Sequence, residues 1–307
     1  MATRTRFAPD RGLTTRMLST MFALGLLYVV FIAVFLVVVP KYWLVIIVVA
    51  GLFLLAQYFF SDKLTLFAMN AREVTPEEAP ELHGVIDRLC AMSNMPKPKV
   101  AIADTDVPNA FATGRNQKRS VVCCTTGILR RLDPVELEGV LAHEMSHVAH
   151  KDVAVMTIAS FLGILAGLLT RMALQFGLLG GGRDRRDQNT LPVFLIVLLV
   201  SAVVYAISFL LIRALSRYRE LAADRAAAYL TGRPSALASA LTKVSGDMAR
   251  IPTRDLRKAE PFNAFFFTPA FSRGKGISLG NLFSTHPTLE KRLEQLSQIS
   301  AQIGRGA

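Results

Sequence analysis

The sequence predicts an α-helical membrane protein with an α+β domain outside the bilayer: about four transmembrane helices, and a small sheet beside a histidine-bearing helix. Three observations predict it. Four long apolar runs carry no charge. The stretches between and after them carry strand and helix-start signals. One of those helices bears His143 and His147, four residues apart and so on one face.

The apolar runs come first. Met17 to Val39 is 23 residues without a charge, enough at about 1.5 Å per residue to span a ~30 Å hydrocarbon core. It exceeds a signal-peptide core and no small-residue cleavage site follows, so it reads as a retained anchor. Pro40-Lys41-Tyr42-Trp43 makes an interfacial turn, and Trp43 to Phe60 a second span of minimal length. Val153 to Thr170 is a third run, ended by Arg171; its length also admits a buried core helix or a partly inserted segment. A glycine-rich charged turn, Gly180 to Asp187, precedes the fourth run, the 22 uncharged residues Leu191 to Ile212. The expected division is a basic tail (1–16), a transmembrane hairpin (17–60), a first part of the polar domain (61–152), a second hydrophobic hairpin (153–212) and a second part (213–307).

The net charge is +12 against a hydrophobic fraction of 52%. Much of that charge flanks the runs: Arg4, Arg6, Arg11 and Arg16 before the first, Lys63 and Arg72 after the second, Arg213, Arg217 and Arg219 after the last. This is the pattern of a chain held in a lipid bilayer, and no basic stripe interleaved with aromatics points to nucleic acid. The basic N-terminus places residues 61–152 on the cytoplasmic side of the plasma membrane. The three arginines of Arg183–Asp187 count against an outside turn, which leaves a shallow or re-entrant second hairpin open. Cys90, Cys123 and Cys124 are odd in number with two adjacent, so they imply no disulfide framework and a reducing compartment.

In the first polar part, Thr75-Pro76-Glu77-Glu78 reads as a helix start, with Leu82, Val85, Ile86 and Leu89 as its apolar face. Lys99 to Ala103 and Ser120 to Thr125 read as strands, with 109–114 as a possible third. Asp133-Pro134-Val135-Glu136 opens a second helix. Pro287 to Ile303 is amphipathic and helical. The loop-like stretch 252–284 clusters Phe262, Phe265, Phe266, Phe267 and Phe271, for which packing is the default reading.

The helix opened at Asp133 carries His143-Glu144-Met145-Ser146-His147. Both imidazoles can reach one ion, while Glu144 beside them holds water rather than metal. A helix with two histidines and no metal is the alternative so short a motif leaves. A third ligand is required. The position six beyond His147 is Val153, not histidine, and His150 reads as a surface residue at the membrane boundary. Glu220 is the better candidate: it and Asp224 are four apart on a helical stretch, so one carboxylate can bind the ion while the other accepts a hydrogen bond from a ligand imidazole. An exposed charged face is the alternative, since Arg217 and Arg219 lie close.

The motif at 143–147, Ser-Arg-x-Arg-Glu-Leu-x-Ala-Asp at 216–224, Asn109-Ala110-Phe111-Ala112-Thr113-Gly114, and Thr285-His286-Pro287 with Arg292 together resemble the HtpX family of membrane zinc proteases. Four motifs in family order among four apolar runs cover nearly the whole chain. The CAAX prenyl endopeptidases share the metal motifs but have more membrane helices. The Phe-rich stretch and the Arg-rich turn are not part of the family pattern. The resemblance implies a zincin-like catalytic domain with one Zn2+ per chain, held by His143, His147 and Glu220, with Asp224 beside them and Glu144 as general base. It implies that Asn109, Ala110, Phe111 and Ala112 lie on an edge strand that pairs with an extended substrate. It implies an oxyanion role for His286, for which a loop histidine before a proline-started helix is the alternative, and a site carboxylate as partner of Arg292. The implied substrates are proteins, above all misfolded or damaged membrane proteins, in quality control under stress.

If Glu220 shares an ion with His143 and His147, the third and fourth runs either both span or neither does. His147 lies about 9 Å of helix from the third run and Glu220 about 12 Å from the fourth, so the site is tethered near the membrane surface. Two rivals from other classes are a non-enzymatic membrane scaffold and a basic peripheral nucleic-acid factor. The sequence sets no oligomeric state.

Overall fold

The computed structural model describes Phe7, residues 10–38, 69–114, 116–152, 190–248 and 286–306, and isolated helical positions between 44 and 67 and at 155–156. The chain divides into two compact units. One comprises Thr14–Phe59 and Val155–Leu215, the other Met1–Leu13, Phe60–Ala154 and Ser216–Ala307.

The first of these contains most of helix α1 (Arg11–Val38) and the apolar part of a 42-residue helix whose label, in chain order, is α5 (Thr190–Thr231). Two stretches, Arg11–Val34 and Leu198–Thr231, are long and apolar enough to cross a membrane. The charge-free part of the second ends at Ile212. Their large apolar side chains turn outward: Leu18, Phe22, Leu26 and Val29 on α1, Leu199, Val203 and Leu210 on α5. A water-soluble helix does the reverse. An inner cluster of Leu24, Phe31 and Val204 is buried, with Met21, Leu27 and Val200 packed on it. The first and fourth predicted runs fall on these two helices. Of the second run (43–60) the helical positions 44, 48, 51, 52, 55, 56 and 59 are described and of the third (153–170) 155 and 156, while the turn at 183–187 and the Phe-rich stretch 262–271 lie entirely outside the described residues.

The other unit is built on a four-stranded sheet in the order β1-β2-β4-β3, from Ala71–Glu73, Lys99–Ala103, Ser120–Thr125 and Ala110–Gly114 respectively. β2 and β4 are parallel, with Lys99 opposite Val121. β1 and β3 are antiparallel edges, with Ala110 opposite Cys124 on the β3 side. The strands expected at 99–103 and 120–125 have those bounds, and the possible third is real. β1 has three residues, too few for alternation to reveal it.

Both faces of the sheet are covered. Ala110, Ala112, Val122 and Cys124 point into the main core with Leu141 and Met145. Phe111, Val121 and Cys123 pack with Ala101 and Ala103 on the other side. All three cysteines are buried thiols, as small apolar residues would be.

Helices cover the main-core face: α2 (Pro80–Ser93), α3 (Thr126–Arg131), α4 (Pro134–His150), α6 (Pro234–Met248) and α7 (Leu289–Gly306). The helix start expected at 75–78 is a correction. Those residues form a turn in which Glu78 Oε2 accepts from the Thr75 N–H at 2.9 Å and Oε1 takes Arg72. The helix begins at Pro80, because Ala79 before proline sits outside the helical region (φ −141°, ψ 62°). Helix α4 starts as predicted. Asp133 accepts from the Val135 and Glu136 N–H groups, and Glu136 reaches back to the Asp133 N–H in a capping box. Glycine at 139 lets α4 approach α6 closely: a Cβ there would lie 3.3 Å from the Leu237 main chain.

Candidate active site

Helix α4 buries His143, Glu144, Ser146 and His147 together. The one-turn spacing sets the two imidazoles edge to face, ring centroids 4.8 Å apart, with their Nε2 atoms 3.2 Å apart. Helix α5 brings in Glu220: Oε2 is 3.5 Å from His143 Nε2 and Oε1 is 3.6 Å from His147 Nε2. Three ligand atoms, one from each residue, thus lie within 4.8 Å of one another.

This donor set fits a metal ion. Ligands about 2.0–2.1 Å from a tetrahedral ion are ~3.3 Å from each other, close to the 3.2 Å between the two Nε2 atoms and to the 3.5 and 3.6 Å from each Nε2 to one or other Glu220 oxygen. The outer ring nitrogens settle where the lone pairs point. His147 Nδ1–H donates to Asp152 Oδ2 at 2.8 Å. His143 Nδ1 is 2.9 Å from Asp224 Oδ1. With protons on Nδ1, the two Nε2 lone pairs face one another beside a carboxylate, an arrangement that a cation relieves.

Charged residues surround the cluster. Arg292, 1% exposed, clamps Asp224 through Nε–Oδ2 at 2.7 Å and a terminal nitrogen to Oδ1 at 2.6 Å. Arg219, also buried, donates to Glu220 Oε1 at 3.0 Å. His286 is buried with Nδ1 3.4 Å from Glu220 Oε2. Burial works against the charged form of His143, but Asp224 and Glu220 win and raise the imidazole to about 9. Burial likewise pushes Glu220 up, yet His143, His286 and Arg219 hold it well below the usual carboxylate range. Asp224 is lowered against its burial by Arg292 and His143. Metal-free, the site holds a proton with the field that would hold a cation.

Glu144 differs. Burial pushes its carboxyl up, and the pull of His143 and His147 does not reverse it. Its Oε2 accepts the Ala112 N–H at 3.0 Å, which ties it to β3, the edge strand. The Asn109 carbonyl accepts from the Thr125 N–H, so by antiparallel alternation residues 109, 111 and 113 turn their main-chain groups to β4. Ala110, Ala112 and Gly114 turn theirs away from β4, on a strand whose five residues are all buried.

The structure therefore brings His143, Glu144, His147, Glu220, Asp224, His286 and Arg292 to one place, with Ala112 beside Glu144. His150 points elsewhere, its Nδ1–H donating to the Ser146 carbonyl at 2.8 Å. Two residues of this cluster escape sequence reasoning. Arg219 stands inside the 216–224 motif but is given no role there beyond a flanking charge. Asp152 carries no motif, and its only signal is an acid just beyond the helix that holds both histidines.

A buried His/His/Glu cluster beside a further carboxylate, in a chain with two helices fit to cross a membrane among its described residues, is the arrangement of a membrane metalloprotease. The model of Peptidase family M48 matches residues 76–300, and the chain belongs to that family. It is 64% identical over 301 residues to Protease HtpX homolog 1 of Streptomyces coelicolor, covering 98% of this chain and 97% of that protein. It is 53% identical over 294 residues to Protease HtpX homolog 2 of Methanosarcina mazei, covering 96% and 97%. The crystal structure of S. mikatae Ste24p is a more distant likeness, with TM-score 0.49, 18% identity, and coverage of 94% of this chain and 66% of that one. The resemblance to HtpX proteases read from the motifs thus holds over nearly the whole chain.

Proposed function

We propose that this protease is a zinc endopeptidase of the plasma membrane, its site facing the cytoplasm, that hydrolyses misfolded or damaged membrane proteins. The carrying observation is the convergence of His143, His147 and Glu220: the two Nε2 atoms are 3.2 Å apart, and one ligand atom from each residue lies within 4.8 Å of the others. Two imidazoles and a carboxylate suit zinc and leave a position for water or substrate.

His143, His147 and Glu220 hold the ion, and Asp224 orients His143. When bound, zinc supplies Lewis acidity, polarising the scissile carbonyl and acidifying water. Glu144, with Oε2 fixed by the Ala112 N–H, takes the proton of the attacking water and delivers it to the leaving amine. His286 stabilises the developing oxyanion. An extended substrate pairs with the outward main-chain groups of Ala110 and with the Ala112 carbonyl, the Ala112 N–H being held by Glu144, giving affinity with little sequence preference. Asn109 and Phe111 hold that strand in register against β4.

The catalytic domain is zincin-like and comprises 61–152 and 213–307. The runs at 17–60 and 153–212 supply four spans behind the basic tail 1–16. Glu220 lies on the same helix as the charge-free stretch ending at Ile212, which favours substrates at the membrane surface. One substrate offered membrane-tethered and detached tests this: preference for the tethered form is expected, and equal cleavage overturns it. For the chemistry, Glu144→Gln should keep the metal and lose on the order of 10²–10⁴ in rate. Near-normal turnover in that variant contradicts the assignment.

A further inference from the structure

His143 and His147 each turn an outer ring nitrogen to a carboxylate, but the two carboxylates are held differently. Asp224 is clamped by Arg292 on both oxygens, at 2.6 and 2.7 Å. Asp152 gives Oδ2 to His147 at 2.8 Å, while its buried Oδ1 has no hydrogen-bond partner among the described residues. Arg219 acts on Asp152 as a nearby charge, with its guanidinium hydrogen-bonded to Glu220.

The backbone is arranged to make this contact. On a continuing helix, a residue five positions on is rotated about 140° from its origin, so Asp152 would face away from His147. Helix α4 instead ends at His150, and Lys151 adopts a left-handed conformation, φ 58° and ψ 21°, its N–H capping the His147 and Val148 carbonyls. A non-glycine residue in that region is disfavoured. A carboxylate 2% exposed with one oxygen unmatched is costly as well. Two unfavourable features converge on one side chain aimed at one histidine.

We infer that Asp152 is the positioning residue of His147. It keeps the proton on Nδ1, so that Nε2 presents its lone pair to the ion, and its charge strengthens that nitrogen as a donor. The inference rests on the metal-centre reading above.

The test uses the full-length chain purified in detergent, with the Zn2+ dissociation constant measured by competition with a chromogenic chelator. The melting temperature of each metal-free variant is recorded beside it. Asp152→Asn keeps an acceptor of the same shape without the charge, and Asp152→Ala removes both. Glu138→Gln serves as control: Glu138 is a buried acid on the same helix, paired with Arg88 at 2.7 Å. Expected is a loss of zinc affinity of about 10–100-fold for Asp152→Ala, a smaller loss for Asp152→Asn, and none for Glu138→Gln. Unchanged affinity in both Asp152 variants overturns the inference. So does an equal loss in Glu138→Gln tracking a lowered melting temperature, since the effect would then be one of helix stability. A wild-type chain that takes up no zinc overturns the metal-centre reading itself, a different result from normal uptake by all four proteins.

Discussion

Helices α4 and α1 differ in what they hide. Over Pro134–His150 the buried set includes Glu136, Glu138, His143, Glu144, Ser146 and His147. Over Arg11–Val38, large apolar side chains such as Leu18, Phe22 and Leu26 are exposed. In α4 burial of charge is tolerable because the groups have partners: Glu136 takes Lys243 and Ser239, Glu138 takes Arg88, His147 takes Asp152 and Glu144 takes the Ala112 N–H. In α1 exposure of apolar groups costs nothing if the surrounding solvent is lipid. The difference teaches that one chain is matched to two solvents, with precise polar pairing in one region and bare apolar surface in the other.

The largest effect is expected where a buried partner is removed. Arg292→Ala leaves the buried Asp224 with His143 but without its clamping cation and should destabilise the catalytic unit by about 3–5 kcal/mol, read by chemical denaturation in detergent. An effect under 1 kcal/mol would mean the ion pair is dispensable. On α1, Phe22→Asp should cost about 2.5–3.5 kcal/mol of membrane insertion, seen as a smaller inserted fraction. A surface substitution in water would change stability by roughly 0.5 kcal/mol or less, and normal insertion would contradict the lipid-facing reading.

His143 has its folded value raised from 6.5 to about 9. In the metal-free protein its stabilising contribution is fully present below pH 6.5 and fades as pH rises through about 9. Metal uptake must displace that proton, so zinc affinity should climb up to about tenfold per pH unit until ~9 and then level. A flat profile from pH 6 to 9 contradicts it. The smallest effect concerns Thr125, whose Oγ1 caps α3 at Ile128 N–H and also accepts the Asn109 N–H at 2.9 Å. Thr125→Val should cost about 1–2 kcal/mol of stability, and no loss would mean that neither bond contributes.

Sequence and structure meet where the physics is local. The i, i+4 spacing of His143 with His147 and of Glu220 with Asp224 is helical geometry, and the Asp133 cap is a backbone hydrogen-bonding rule, so both are legible. Strands at 99–103 and 120–125 show as apolar runs. Asp152 is illegible because a left-handed residue at Lys151, which no composition rule announces, turns it back to His147. Arg219 is illegible because a charge after an apolar run looks alike whether it meets lipid headgroups or, as here, the carboxylate of its own neighbour Glu220. The turn at 75–78 carries real capping residues, but Pro80 moves the helix start past them.

The central claim is that His143, His147 and Glu220 form one metal centre. Zinc content per chain in detergent-purified wild type and Glu220→Ala tests it most directly. The account predicts about one zinc in the wild type and a large fall in Glu220→Ala, with the variant still folded by circular dichroism. A wild type without zinc, or a Glu220→Ala chain that keeps its full complement through dialysis against a chelator, would contradict it.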